Sequence, residues 1–120
     1  MKFTWTTLQV SNLDKSLAFY HDLLGLPIHS RFPAKSGEIA MLGTPDGTKL
    51  ELLCTGAPLP HPVGLGISMG FAPDNMDALL RTLEAHDIPL PPPASPNPSL
   101  RFYFLPDPDG YTIQLVEELV

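Results

Sequence analysis

The feature that most constrains this sequence is an internal repeat. The ten residues from Thr44 (TPDGTKLELL) align with the ten from Asp107 (DPDGYTIQLV) at a constant offset of 63. Both copies contain a Pro-Asp-Gly turn, and apolar residues alternate in phase behind it. Each copy also ends the same predicted order of elements, strand, helix and three strands. We therefore predict an α+β chain formed by duplication of one βαβββ module.

Module one covers residues 1–57. Its helix is predicted to begin with a capping side chain in Ser11–Asp14, to carry a stripe of leucines and Tyr20 at three- to four-residue spacing, and to stop at Gly25. Its strands are predicted from β-branched, aromatic and alternating apolar residues. They cover residues 3–10, 27–31, 38–43 and 49–55.

Module two covers residues 64–120 and follows a proline-rich connector at 56–63, within a single domain of residues 1–120. Asp74 is predicted to cap its helix, which should end near His86 and Asp87. The segment Pro91–Pro98 (PPPASPNP) is predicted to lack regular structure because so many backbone donors are missing. The predicted strands cover residues 65–71, 88–90, 100–105 and 111–117.

Composition limits the compartment and the partners. The formal net charge is −6, which repels phosphate backbones and argues against nucleic acid as a partner. No apolar run approaches the ~20 residues of a membrane span, and the first residues lack the features of a signal peptide. Cys54 is the only cysteine, so an internal disulfide is excluded and a reducing, cytoplasmic location is expected.

Strand periodicity assigns side chains to the two faces of each sheet. Leu50, Leu52 and Cys54 form an apolar face for the helix, which directs Glu51 to the opposite face. The same alternation directs Gln114 to that face in module two, so the two residues occupy equivalent positions. In the first strands the corresponding positions are Trp5, Thr7 and Gln9, and Gly66, Ser68 and Gly70. Paired modules would enclose a cavity between their sheets.

Both ends of the chain resemble a known family. MKFTWTTLQVSNLDKSLAFYHDLLGL and DPDGYTIQLVEE are similar to the glyoxalase / bleomycin-resistance / extradiol-dioxygenase group, the vicinal oxygen chelate superfamily, and most similar to its glyoxalase I branch. The resemblance covers essentially the whole chain. It implies a curled mixed sheet around a cavity, in which a divalent metal binds vicinal substrate oxygens. The family's ligand positions correspond to Trp5, Glu51, Gly66 and Gln114.

This sequence departs from the family's ligand pattern. Glu51 matches it, and Gln114 retains an oxygen but no charge. Trp5 and Gly66 have no side chain that binds a metal ion, whereas Zn²⁺ and Ni²⁺ sites generally use three or four protein ligands. We therefore expect no metal cofactor and a degenerate site. The alternative is a weakly held divalent ion at Glu51 and Gln114.

Each candidate residue has a functional and a structural interpretation. Glu51 is a candidate general base or an exposed strand carboxylate. Gln114 is a pocket wall or a hydrogen-bond partner of Glu51, and Trp5 either stacks on a flat ligand or fills the volume left open by Gly66. Arg101 and Tyr103 either orient an anionic or aromatic ligand or pack at a sheet edge. The predicted ligand contacts are Trp5, Glu51, Gly66, Arg101, Tyr103 and Gln114.

The leading hypothesis is a glyoxalase-like protein that binds a small organic molecule in the cavity between the modules. If it is an enzyme, metal-free proton transfer by Glu51 next to a carbonyl is the simplest chemistry. One alternative is a metal-dependent glyoxalase-type lyase or isomerase. The other is a drug-sequestering protein of the bleomycin-resistance kind, whose acidic surface would attract a cationic drug. The stiff, short connector favours a homodimer.

Overall fold

The computed structural model describes residues 1–119. They form two compact units, Met1–His61 and a second that begins at Pro62. Unit 1 contains β1 (Trp5–Gln9), α1 (Leu13–Leu17) with a π-helical continuation (Ala18–Leu23), β2 (Ile28–Ala34), β3 (Gly37–Leu42) and β4 (Lys49–Cys54). Unit 2 contains β5 (Ser68–Phe71), α2 (Met76–Ala85), β6 (Ala94–Asn97), β7 (Leu100–Pro106) and β8 (Thr112–Glu118). Among these residues no helix is long and apolar enough to cross a membrane.

The two units have the same sheet topology. Each has a four-stranded mixed sheet, in the order β1-β4-β3-β2 and β5-β8-β7-β6. The first two strands of each order pair in parallel, and the others pair antiparallel. Thr7 lies opposite Glu51 in unit 1, and Gly70 lies opposite Gln114 in unit 2. The two residues of each pair are equally far apart in the chain, so the two pairs occupy equivalent positions of the two sheets. This equivalence confirms the duplicated α+β fold.

One face of each sheet forms the core of its unit, as the alternation predicts. In unit 1 the central residue of this face is Leu52, which is fully buried. Its equivalent in unit 2, Leu115, is 1% exposed. Burying an aliphatic side chain of this size contributes about 1.5–3 kcal/mol. The other core residues on the strands include Leu8, Leu42, Leu50, Leu105 and Ile113.

The helix of unit 1 begins and ends where the sequence indicates, but its second half is wider than an α-helix. Asn12 caps it, because its side chain accepts a hydrogen bond from the Lys15 N–H. Leu24 N–H then donates to Phe19 O, five residues back, at 3.0 Å. Gly25, with φ +82°, ends the helix in the left-handed conformation.

The cap of α2 differs by one residue from the prediction. Asn75, not Asp74, accepts the hydrogen bond from Ala78 N–H, at 3.0 Å. The reason is position, since α2 begins at Met76 and the capping residue directly precedes the first helical residue. The predicted helix end at His86 is correct, and Asp87 follows it with φ +55°.

The predicted strand 65–71 is too long at its start. Gly64 and Gly66 have φ values of +58° and +79°, and Ile67 N–H donates to Gly64 O at 3.1 Å. Residues in the left-handed region turn the chain and cannot continue a strand. β5 therefore begins at Ser68, and Gly66 lies in the turn before it.

The prediction for residues 88–98 is also wrong. Residues 88–90 are not a strand, and β6 forms inside the proline-rich segment, over Ala94–Asn97. β6 is an edge strand, so its residues need hydrogen bonds on one side only, where an edge proline is tolerated. Its pairing with β7 shifts register between Ala94 and Asn97.

Candidate functional site

Glu51 lies in the middle of the sheet of unit 1, on the face opposite the core. Its neighbours across the strands are Thr7 on β1 and Met41 on β3. The Thr7 hydroxyl donates a hydrogen bond of 2.6 Å to Oε1 of Glu51. This hydroxyl fixes one carboxylate oxygen, and Glu51 is only partly exposed. The arrangement can present an oriented hydrogen-bond acceptor or a proton acceptor to a ligand.

The sheet face that carries Glu51 also carries apolar side chains. Trp5 lies on the same face because it precedes Thr7 by two residues, and 53% of its surface is exposed. Phe32, which pairs with Ile39, is 41% exposed. Met41 and Leu53 are half-buried. The face therefore combines aromatic and aliphatic surface with one carboxylate, the usual composition of a small-molecule site.

Gln114 holds the position in unit 2 that Glu51 holds in unit 1, but its surroundings differ. Its neighbours are Gly70 on β5 and Phe104 on β7. A Cβ atom at Gly70 would lie 3.6 Å from Oε1 of Gln114 and 3.3 Å from Cγ2 of Val116. Unit 2 therefore has a neutral amide beside a residue without a side chain, where unit 1 has a carboxylate bonded to a hydroxyl.

Arg101 and Tyr103 lie on the opposite side of the unit 2 sheet from Gln114, and their role as ligand contacts stays a prediction. Tyr103 pairs with Leu115, a core residue, and Arg101 pairs with Glu117 on the same side. Strand periodicity puts Arg101 and Tyr103 on one side of β7, and the pairing of β7 with β8 decides that this is the core side. The face of Gln114 instead carries Phe102 and Phe104, whose rings pack edge to face at 5.3 Å.

Arg101 has partners within its own face. It donates a hydrogen bond to the Glu117 carboxylate, and its guanidinium carbon lies 5.7 Å from the centre of the Tyr103 ring. The hydrogen bond to Glu117 is the main cause that raises the pKa of Arg101 above its ordinary value. These contacts match the structural interpretation of a packed surface ion pair.

The sequence analysis did not identify Thr7 and Gly70 as the neighbours of Glu51 and Gln114. Strand alternation placed both on the correct face, but the resemblance pointed to Trp5 and Gly66 as the partners of Glu51 and Gln114. The register makes Thr7 and Gly70 the direct cross-strand neighbours. Gly66 lies in the turn before β5, and its role as a ligand contact stays a prediction.

The residue types at the family's ligand positions do not fit a tightly bound transition metal. The indole N–H of Trp5 is a donor only, and Gly66 has no side chain. Glu51 and Gln114 supply oxygen atoms, fewer ligands than Zn²⁺ or Ni²⁺ sites use. Within residues 1–119 no group of three or more His, Cys, Asp or Glu side chains could hold a metal ion.

Comparisons with known proteins give one family. The family model of the Glyoxalase/Bleomycin resistance protein/Dioxygenase superfamily matches residues 2–115. No curated protein sequence matches the chain significantly.

Solved structures with the same fold are numerous. Glyoxalase I from Leishmania major, described as trypanothione-dependent, is 25% identical with a TM-score of 0.72, and the match covers 98% of this chain and 87% of that one. TnmS3, an antibiotic binding protein from Streptomyces sp. CB03234, is 22% identical with a TM-score of 0.74, covering 98% and 96%. A glyoxylase/bleomycin resistance protein/dioxygenase domain from Frankia sp. EAN1pec is 19% identical with a TM-score of 0.78, covering 98% of both chains.

Proposed function

Since this chain belongs to the Glyoxalase/Bleomycin resistance protein/Dioxygenase superfamily, we propose that it binds a small organic molecule on the exposed sheet face of unit 1. The contacts that we assign are Trp5, Thr7 and Glu51. The observation that carries the proposal is the position of one carboxylate, held by a hydroxyl, within exposed aromatic and aliphatic surface. Exposed apolar surface of this kind is costly in water and marks interaction sites.

The composition of this face indicates the chemistry of the ligand. A flat apolar part would stack on Trp5, and a hydrogen-bond donor or a cationic group would bind the Glu51 carboxylate. The net charge of −6 favours cations at long range. The neighbour TnmS3 supports this proposal, because it has a similar fold and is described as an antibiotic binding protein.

We also propose a ligand-contacting role for Gln114, which holds the equivalent register position in unit 2. Its amide can donate and accept, so it suits a neutral polar group of a ligand. If a bound molecule carries an acidic C–H group next to a carbonyl, Glu51 is the residue that would remove the proton. Only Glu51 and Gln114 carry ligand atoms at the family's metal positions, so we propose that Glu51 removes the proton without a metal-bound intermediate.

The experiment that tests binding uses Trp5, which is the only tryptophan of the chain. Titration with aromatic amines should change its fluorescence and reach saturation. Glu51→Gln should weaken the affinity by roughly tenfold or more, because a hydrogen bond to a charged group contributes about 1.5–3 kcal/mol. Asp22→Asn, which removes an exposed carboxylate elsewhere in unit 1, is the control and should bind normally. Equal affinities for all three proteins would refute the role of Glu51.

A second experiment separates binding from the metal-dependent lyase. Ni²⁺, Co²⁺, Zn²⁺ or Mg²⁺ is added to the purified protein, and isomerisation of a hemithioacetal is followed. We expect no activity and less than one tightly bound ion per chain, because only two side chains at the family's positions carry ligand atoms. Activity that depends on an added ion and disappears in Glu51→Gln would establish the lyase.

We also propose that the chain forms a homodimer in a reducing, cytoplasmic compartment. The proline-rich connector 56–63 is short, and the single cysteine excludes an internal disulfide. Light scattering after size-exclusion chromatography should give twice the chain mass of 13.1 kDa. A mass of one chain at micromolar concentration would reject the dimer.

A further inference from the structure

Unit 2 contains a cavity on the side of its sheet that faces α2. It has a volume of about 550 Å³ and lies between the last turns of α2, the segment that follows it, and β7. Leu80, Ile88, Leu90 and Tyr103 contribute its apolar lining. This volume is within the range of sites that hold drug-sized molecules, about 300–1,000 Å³.

Two carboxylates line the same cavity, Glu84 and Asp87. Both are exposed, and neither forms an ion pair with any residue in 1–119. They also lie at the C-terminal end of α2, where the helix dipole is negative and where the last turn has no basic residue. Negative charge at this end of a helix is unfavourable, so a bound cation would relieve this electrostatic cost.

We propose that this cavity is a binding site for a small organic cation, a protonated amine attached to an apolar body. The apolar body contacts Leu80, Ile88, Leu90 and Tyr103, and the amine lies between Glu84 and Asp87. An apolar ligand without charge would leave both carboxylates unpaired, and an anion would be repelled. Charge complementarity therefore selects the cation.

A cation beside the Tyr103 lining of this cavity does not oppose the assignment. Arg101 lies over the Tyr103 ring, but it is hydrogen-bonded to Glu117, which compensates its charge. The site is also distinct from the face of Gln114, because Tyr103 projects from the opposite side of the sheet. It does not depend on the function proposed for Glu51, and separate variants test the two sites.

The test compares two probes that differ in charge. 2-(1-Naphthyl)ethylamine carries the ammonium group, and 2-(1-naphthyl)ethanol has the same apolar body without charge. Each is titrated into the full chain, and the methyl NMR signals of Leu80, Ile88 and Leu90 are followed. The amine should produce saturating shifts in these signals, with an affinity about five- to tenfold higher than that of the alcohol. The difference should shrink in 0.5 M salt because these carboxylates are exposed.

The double variant Glu84→Gln/Asp87→Asn should remove the preference for the amine. Asparagine tolerates the left-handed conformation of Asp87, so the fold is expected to persist, and thermal unfolding verifies it. Glu51→Gln should leave the shifts of the three residues unchanged. Equal affinity for amine and alcohol would overturn the proposal, as would the absence of saturating shifts at these methyl groups or a preference that survives in the double variant.

Discussion

The two units of this chain share a sheet topology and differ in the chemistry of their exposed faces. At the equivalent centre, unit 1 has Glu51 bonded to Thr7, whereas unit 2 has Gln114 beside Gly70. The core positions behind these residues are nearly identical in burial, Leu52 and Leu115. Duplication has therefore preserved the side of the sheet that stabilises each unit, while the other side has diverged. Packing constrains the residues on the core side, whereas residues on the other side can change with the ligand that they bind.

The helix ends of the two units also differ. Unit 1 ends its helix at Gly25, with φ +82°, and unit 2 places Asp87 after its helix, with φ +55°. Glycine adopts this conformation at little cost, whereas aspartate does so less readily. The left-handed conformation of Asp87 is thus a local energetic cost in unit 2, at a residue that lines the cavity beside α2. Such local exceptions are expected where function competes with stability.

The largest effect should come from the shared cores. Leu52→Ala and Leu115→Ala should each lower the free energy of unfolding by about 2–5 kcal/mol, since each leaves a cavity at a buried position. Urea unfolding of both variants measures the effect. Similar losses would support equal roles for the two cores, and a loss confined to one variant would show that only one unit limits stability.

Moving the carboxylate from position 51 of unit 1 to position 114 of unit 2 should not preserve the affinity for an aromatic amine. Glu51→Gln should weaken binding of an aromatic amine at Trp5 by roughly tenfold or more. Adding Gln114→Glu to that variant should not restore the affinity, because the cross-strand neighbour of residue 114 is Gly70, which has no hydroxyl to orient the carboxylate. Trp5 fluorescence measures both. Full recovery in the double variant would show that the two faces are interchangeable.

Exchanging the residues at the helix ends should have opposite effects on stability. Gly25→Ala should lower the free energy of unfolding by about 1–2 kcal/mol, through the backbone alone, because nothing lies within 4 Å of an added Cβ atom. Asp87→Gly should raise it by about 0.5–1 kcal/mol. Thermal and urea unfolding measure both changes. Destabilisation by Asp87→Gly would mean that the carboxylate supports the fold.

The smallest effect concerns an ion pair of unit 1. Arg31 donates to both carboxylate oxygens of Glu38 at 3.0 Å, and this hydrogen bonding is the main cause that lowers the pKa of Glu38 below its ordinary value of 4.5. A lowered folded-state pKa contributes stability above the ordinary value, and the contribution is lost as the pH falls through the folded value. The stability difference between the native chain and Glu38→Gln should therefore narrow below about pH 4.5. A gap that stays constant from pH 7 to 3 would contradict this assignment.

Several features of the fold could be predicted from local patterns. The repeat at Thr44 and Asp107 gave the duplication, and the alternation around Leu52 and Ile113 gave the core faces. The stop at Gly25 followed from the left-handed conformation that glycine favours. The core faces and the helix stop depend on residues close together in the chain, whose geometry is fixed by the periods of strands and helices.

Other features depended on which strand lies beside which. β6 forms within a proline-rich segment because an edge position requires hydrogen bonds on one side only. Arg101 and Tyr103 alternate correctly along β7, but only the pairing with β8 shows that they lie on the core side. Strand pairing is long-range in sequence, so no local pattern contains it.

The sequence by itself determined the family, the duplicated order of elements and the face on which Glu51 lies, because periodicity and motif identity are local properties. Only the tertiary structure decided that Thr7 is the hydrogen-bond partner of Glu51 and that Gly70 is the neighbour of Gln114. It also brought the end of α2 beside Tyr103, and both line the cavity of unit 2. These contacts join residues far apart in the chain, and their register is set by the packing of the whole unit.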